Sequence, residues 1–183
     1  RLRCDWSSDV CSSDLKRYRE GVAALPAHLE DYAFTIWGLL ELYQTTFELD
    51  YLQHAVDLNQ TMLDLFWDEK SGGFFFTADD GEELIVRTKE IFDGAIPSGN
   101  SVAALDLLLI GRITGNIELE KKAATVGKVF SAQVNRSPMG YTQLLLATEF
   151  AMGPAYEIVI VGDPGSRSEE HTSELQSHLN PVC

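Results

Sequence analysis

No apolar run in this chain approaches the roughly 20 residues that a membrane-spanning helix needs. Basic residues are scarce. Against 28 Asp and Glu stand 14 Lys and Arg in 183 residues, a formal net charge of −14. That imbalance argues against nucleic acid or an anionic membrane as a main partner. Histidine is rarer still, and His28 and His54 form no spacing that would bind a metal. What is there is a chain 45% hydrophobic and 10% aromatic. It is long enough for one domain with a substantial core and too apolar for global disorder.

Cysteine is confined to the ends, as Cys4, Cys11 and Cys183. Those ends are unusual. Asp5–Leu15 reads DWSSDVCSSDL and Arg167–Ser177 reads RSEEHTSELQS. The two peptides are translations of complementary strands of one oligonucleotide, a string that resembles a sequencing-library adapter. Residues 1–15 and 166–183 are therefore expected to be adapter-derived and disordered. The expected domain spans 16–165, cut from a longer chain. Within it 11 basic and 22 acidic residues remain, and no cysteine. A disulfide framework, a CxxC redox site and a cysteine nucleophile are excluded there. Such a composition suits a reducing, cytoplasmic setting.

From Asp31 the residues Tyr32, Ile36, Leu39, Leu40, Tyr43 and Phe47 recur at helical spacing. Phe34, Trp37 and Leu42 fall off that stripe and are apolar too, so the first helix is expected to be buried on most sides. A second helix over about 51–66 has one apolar face, Leu52, Ala55, Val56, Asn59, Met62, Leu63 and Phe66. Phe74–Thr77 and Leu84–Arg87 flank Asp79-Asp80-Gly81 and predict an inserted β-hairpin. A third helix, about 98–114, is apolar nearly all round, and Thr114-Gly115-Asn116 closes it. The fourth, about 118–134, is amphipathic through Leu119, Ala123, Val126 and Phe130. Ser137-Pro138 predicts the start of a fifth, largely apolar helix that Gly153-Pro154 stops. Glu157–Val161 reads as an apolar strand. Buried helices alternate with half-wet ones, which predicts two concentric layers. Helical hairpins of this kind close into an α/α toroid or stack as an open solenoid. The uneven period, with inner helices starting near Asp31, Ser98 and Pro138, favours the toroid.

In a toroid the inner-helix ends face a central cleft, and polar residues stranded there need a reason. Asp31 and Asp93 form a candidate acid/base pair for glycoside chemistry, which needs one protonated and one ionised carboxyl. Tyr32, Trp67, Asp68, Arg87, Ser98 and Asn100 are the candidate substrate-binding residues, with Trp37 as a further stacking surface. Each has a plainer reading as well: Asp31 as a helix-start acid, Asp93-Gly94 as a turn, Ser98 or Asn100 as an N-cap. His28 is either a base for proton abstraction or a first-turn residue. Asp106, inside an apolar helix, is either cleft-facing or a paired buried carboxylate. The segment from Val161 to Gly165 lacks the pattern of a nucleotide-binding turn, and no cofactor is expected.

Five strings carry a family resemblance: LEDYAF (29–34), FWD followed by GGFFFT (66–68 and 72–77), LIVRTKE (84–90), DGAIPSGNS (93–101) and EIVIVG (157–162). Together they resemble the C-terminal part of the thioredoxin-domain-containing family related to spermatogenesis-associated protein 20. The resemblance implies a predominantly all-α fold, a fragment of a six-hairpin (α/α)6 toroid similar to six-hairpin glycosidases and N-acylglucosamine 2-epimerases. It implies a missing N-terminal thioredoxin-like domain as a partner in cis and a small sugar as substrate. The alternative is a non-catalytic interaction or scaffold module that serves the missing domain.

Overall fold

The computed structural model describes residues 15–19, 22–80 and 86–154. The chain divides into two compact units after Met152, and the elements below belong to the first. Two short strands, β1 (Leu15–Arg19) and β2 (Val22–Pro26), pair antiparallel, with Arg17 opposite Ala24. Five helices follow: α1 (Leu29–Thr46), α2 (Leu49–Phe66), α3 (Gly99–Thr114), α4 (Ile117–Arg136) and α5 (Thr142–Met152). The described chain is thus predominantly helical. No described helix is long and apolar enough to cross a membrane.

Local chemistry sets the helix ends. Ser98 caps α3 by accepting from the Ser101 amide, and Asn116 caps α4 by accepting from the Glu118 amide. Gly115, at φ 70°, supplies the left-handed residue that ends α3. Two-residue turns, Phe47-Glu48 and Gly115-Asn116, fold α2 back on α1 and α4 back on α3. Across the fold, α1 packs on α3 and α3 on α5, while α2 covers α1 and α4 covers α3. The faces of α2 and α4 expected to be apolar are the ones that bury. They place Ala55, Met62 and Phe66, and Leu119, Ala123, Val126 and Phe130, in one core.

Three expectations need correction. Of the β-hairpin predicted over Phe74–Thr77 and Leu84–Arg87, Phe74–Thr77 forms no regular strand, and Leu84 and Ile85 lie outside the described residues. Phe74 bridges Trp67, Thr77 bridges His28, and a single bond joins Phe76 N to Thr88 O (2.8 Å). Isolated bridges to the extended cap residues Trp67 and His28 stand in place of a strand. The second correction concerns burial: of the inner helices only α3 is buried nearly all round. In α1 a single stripe of Leu29, Tyr32, Ala33, Ile36 and Leu40 is buried and Leu42 is exposed, while in α5 Leu145 and Leu146 are exposed. These two helices flank α3: α1 packs on α2 and α3, and α5 packs mainly on α3, so among the described elements neither is enclosed as α3 is. The third correction is at Ser137-Pro138, which opens a 3-10 turn, Pro138–Gly140; α5 starts at Thr142. Residues 1–14, 20–21, 81–85 and 155–183, including both flanks and the expected strand at 157–161, lie outside the described residues.

Candidate functional site

Gly99 at the head of α3 sits so close to α1 that a Cβ there would lie 2.9 Å from Leu29 Cγ. One carboxylate, Asp93, accepts from the Ser98 amide at the head of α3 and from the Gln143 amide at the head of α5, both at 2.9 Å. The N-terminal ends of α1, α3 and α5 therefore share one end of the layer. Asp31, Tyr32, Trp67, Asp68, Arg87, Asp93, Ser98 and Asn100 all lie at or near that rim.

The long connection between α2 and α3 has little regular structure and is fastened by side chains. Asn100, fully buried, accepts from Phe74 N (2.8 Å) and donates Nδ2 to Phe74 O (2.9 Å) and Glu90 O (2.8 Å). Arg87 donates from Nη2 to Leu65 O (3.0 Å) and from Nε to Thr77 O (3.1 Å), with its guanidinium 4.2 Å from the centre of the Phe75 ring. Lys89 Nζ donates to Asp68 Oδ2 (2.7 Å), to Ser71 Oγ (3.0 Å) and to Gly72 O. The Lys89 ammonium, backed by the Ser71 hydroxyl and the Lys70 amide, holds the Asp68 carboxyl well below the usual carboxylate range. Asp68 is thus a fixed anion. Trp67 packs edge-on against Phe74 (5.0 Å) under the Lys122 ammonium (4.3 Å). Tyr32 is buried edge-on against Phe66 at 5.2 Å. Ser98 Oγ donates to Ser101 Oγ at 2.9 Å.

The structure brings His28 and Asp31 together. Asp31 Oδ2 accepts from the His28 amide (2.9 Å) and lies 3.9 Å from His28 Nδ1. Their side chains are 32% and 35% exposed. The imidazole stacks on Phe76 at a centroid distance of 4.6 Å. A carboxylate beside an oriented, part-exposed imidazole can help move a proton. Among the described residues no group of three or more His, Cys, Asp or Glu is placed to hold a metal ion. Neither reading of Asp106 holds as stated: the residue is fully buried and so does not face a cleft, and among the described residues neither carboxyl oxygen has a hydrogen-bond partner, so it is not a paired carboxylate. Burial pushes its carboxyl well above the ordinary value.

Sequence reasoning does not single out Phe92, Gly140 or Tyr141 at this rim. Phe92 is exposed and packs edge-on to Tyr141 (6.1 Å). In a loop there is no periodicity from which exposure can be read. The bond from Asp93 to Gln143, fifty residues on, has no local signal either.

The fold and rim define a predominantly helical protein of paired helices whose candidate site residues lie at one end. Among curated proteins, the chain is similar to spermatogenesis-associated protein 20. The mouse protein is 37% identical over 140 residues, which is 76% of this chain and 18% of that protein. The human protein is 38% identical over 155 residues, 84% of this chain and 19% of that protein. An uncharacterised protein of Caenorhabditis elegans is 33% identical over 161 residues, 88% of this chain and 21% of its own length. The chain thus spans about a fifth of the length of the curated relatives it matches. No family model matches it.

Proposed function

We propose that the chain is a sector of an α/α toroid from a protein of the spermatogenesis-associated protein 20 family, and that its rim acts on a carbohydrate by proton transfer. The observation that carries this reading is the His28–Asp31 pair at the head of an inner helix. Both Asp93 oxygens accept from backbone amides, and Asp68 is held in an ion pair with Lys89. A pair of free carboxylates, as glycoside cleavage needs, is therefore less well supported than an imidazole working beside a carboxylate. In this reading the His28 ring takes the proton from the carbon next to the carbonyl of an open-chain sugar. The electron pair of that C–H bond moves into the carbonyl to form an enediolate, and return of a proton completes the cycle. Asp31, whose Oδ2 lies 3.9 Å from Nδ1, stands beside the ring as its acidic neighbour. Asp93, Asn100 and Arg87 position the loops.

The test is exchange of sugar C–H for deuterium. Full-length protein is incubated in heavy water with a panel of aldoses and ketoses and followed by NMR. The expected result is deuterium incorporation that falls at least a hundredfold in His28→Gln and Asp31→Asn proteins of unchanged melting temperature. No incorporation with any sugar would defeat the proposal.

A second reading is favoured by the saturation of Asp68, Arg87, Asp93 and Asn100 by internal bonds. Here the toroid is a non-catalytic module that packs against a thioredoxin-like domain in cis, in the cytoplasm. Co-purification of the two parts expressed separately supports it; independent behaviour of the two removes it.

A further inference from the structure

We propose that Phe92 is a stacking platform for a second sugar ring, so that the substrate is an oligosaccharide. This rests on the carbohydrate reading above. Phe92 is 66% exposed, yet its surroundings hold it in place. The ring lies against Gly140, where a Cβ would come within 2.6 Å of Cε2 and 3.0 Å of Cδ2. Only the absence of a side chain at residue 140 lets the ring seat there. Tyr141 meets it edge-on at 86°. The next residue is tied on both sides: Asp93 N donates to Gly140 O (2.8 Å), and the Asp93 carboxylate accepts from the heads of α3 and α5. An apolar ring is thus fixed in solvent before any ligand arrives, and little conformational freedom is left to lose on binding. The face of an aromatic ring carries negative charge density, which suits the polarised C–H groups of a sugar ring. A neutral polyol also escapes repulsion by the chain's large negative charge.

Position sets the length of the ligand. His28 and Asp31 stand at the head of α1, whereas Phe92 is fastened beside the head of α5, and α3 packs between those helices. Packed helices lie about 8–10 Å apart, so the two features are separated by roughly 10–20 Å. One sugar ring cannot reach both, and a short oligosaccharide can.

The experiment measures affinity of the full-length protein for glucose, maltotetraose and cellotetraose by calorimetry, with Phe92→Ala and Phe92→Trp beside the parent. One tetrasaccharide is expected to bind at least tenfold tighter than glucose. Phe92→Ala should erase that preference and Phe92→Trp should keep it, with melting temperatures unchanged. A length preference that survives Phe92→Ala, or a parent protein that exchanges monosaccharide deuterium but shows no length preference, overturns the platform and leaves the carbohydrate reading standing. A parent protein that neither exchanges nor binds any sugar brings down both together.

Discussion

Asp106 sits in the middle of α3 with a fully buried carboxyl that no described residue hydrogen-bonds. Burial therefore raises its pKa in the folded protein, while in the unfolded chain it ionises near pH 3.9. Above that pH the unfolded state has lost a proton that the folded state retains. The stability associated with Asp106 is complete below about pH 3.9 and declines as pH rises towards the raised folded value. Asp106→Leu, of similar shape, removes the unmet polar group and should stabilise the protein by about 1–3 kcal/mol at pH 7. The gain should shrink at pH 4. Thermal melts at the two pH values check this, and a loss of stability at pH 7 would sink it. The residue is conspicuous in the sequence because a charge interrupts an apolar helix. Its lack of a partner is not legible there, since its neighbours come from other helices.

At the scale of elements, legibility follows periodicity. The helices are readable because stripes such as Leu119, Ala123, Val126 and Phe130 repeat at 3.6 residues, and because Ser98, Gly115 and Asn116 carry capping chemistry. The connection between α2 and α3 is not. Phe74–Thr77 has strand propensity, but side-chain anchors that are distant in sequence decide its path. The β1–β2 pairing also escapes the sequence reading, although Gly21 between Tyr18 and Val22 is a turn signal. Arg87 shows what holds the connection: one fork reaches two carbonyls, of Leu65 and Thr77. Lysine has no such fork. Arg87→Lys should therefore increase cleavage between residues 74 and 98 at least tenfold in limited proteolysis, with the helical circular dichroism signal intact. Unchanged cleavage would show that the fork is dispensable.

For the whole molecule, α1 and α5, the two helices that flank α3, leave apolar side chains uncovered. Leu145, Leu146 and Met152 on α5, and Leu42, Phe47 and Leu49 around the turn from α1 to α2, are exposed. Surface of that kind associates, and the net charge of −14 opposes association. The chain should therefore self-associate, and more strongly at 1 M salt than at 0.05 M, where charge repulsion reaches further. Light scattering at both salt concentrations checks this, and Leu146→Lys should lower the apparent mass. A strict monomer under both conditions would contradict it. The two ends of the helical layers also differ in how much change they can absorb. At one end Phe47-Glu48 and Gly115-Asn116 reverse the chain in two residues each, so an inserted residue there has to be absorbed by a helix end. At the other, a connection of more than thirty residues between Phe66 and Gly99 is secured at separate anchor points. Evolutionary insertions and deletions can accumulate there between the anchors, so homologues can acquire new specificities at that end while the packing beneath is inherited unaltered.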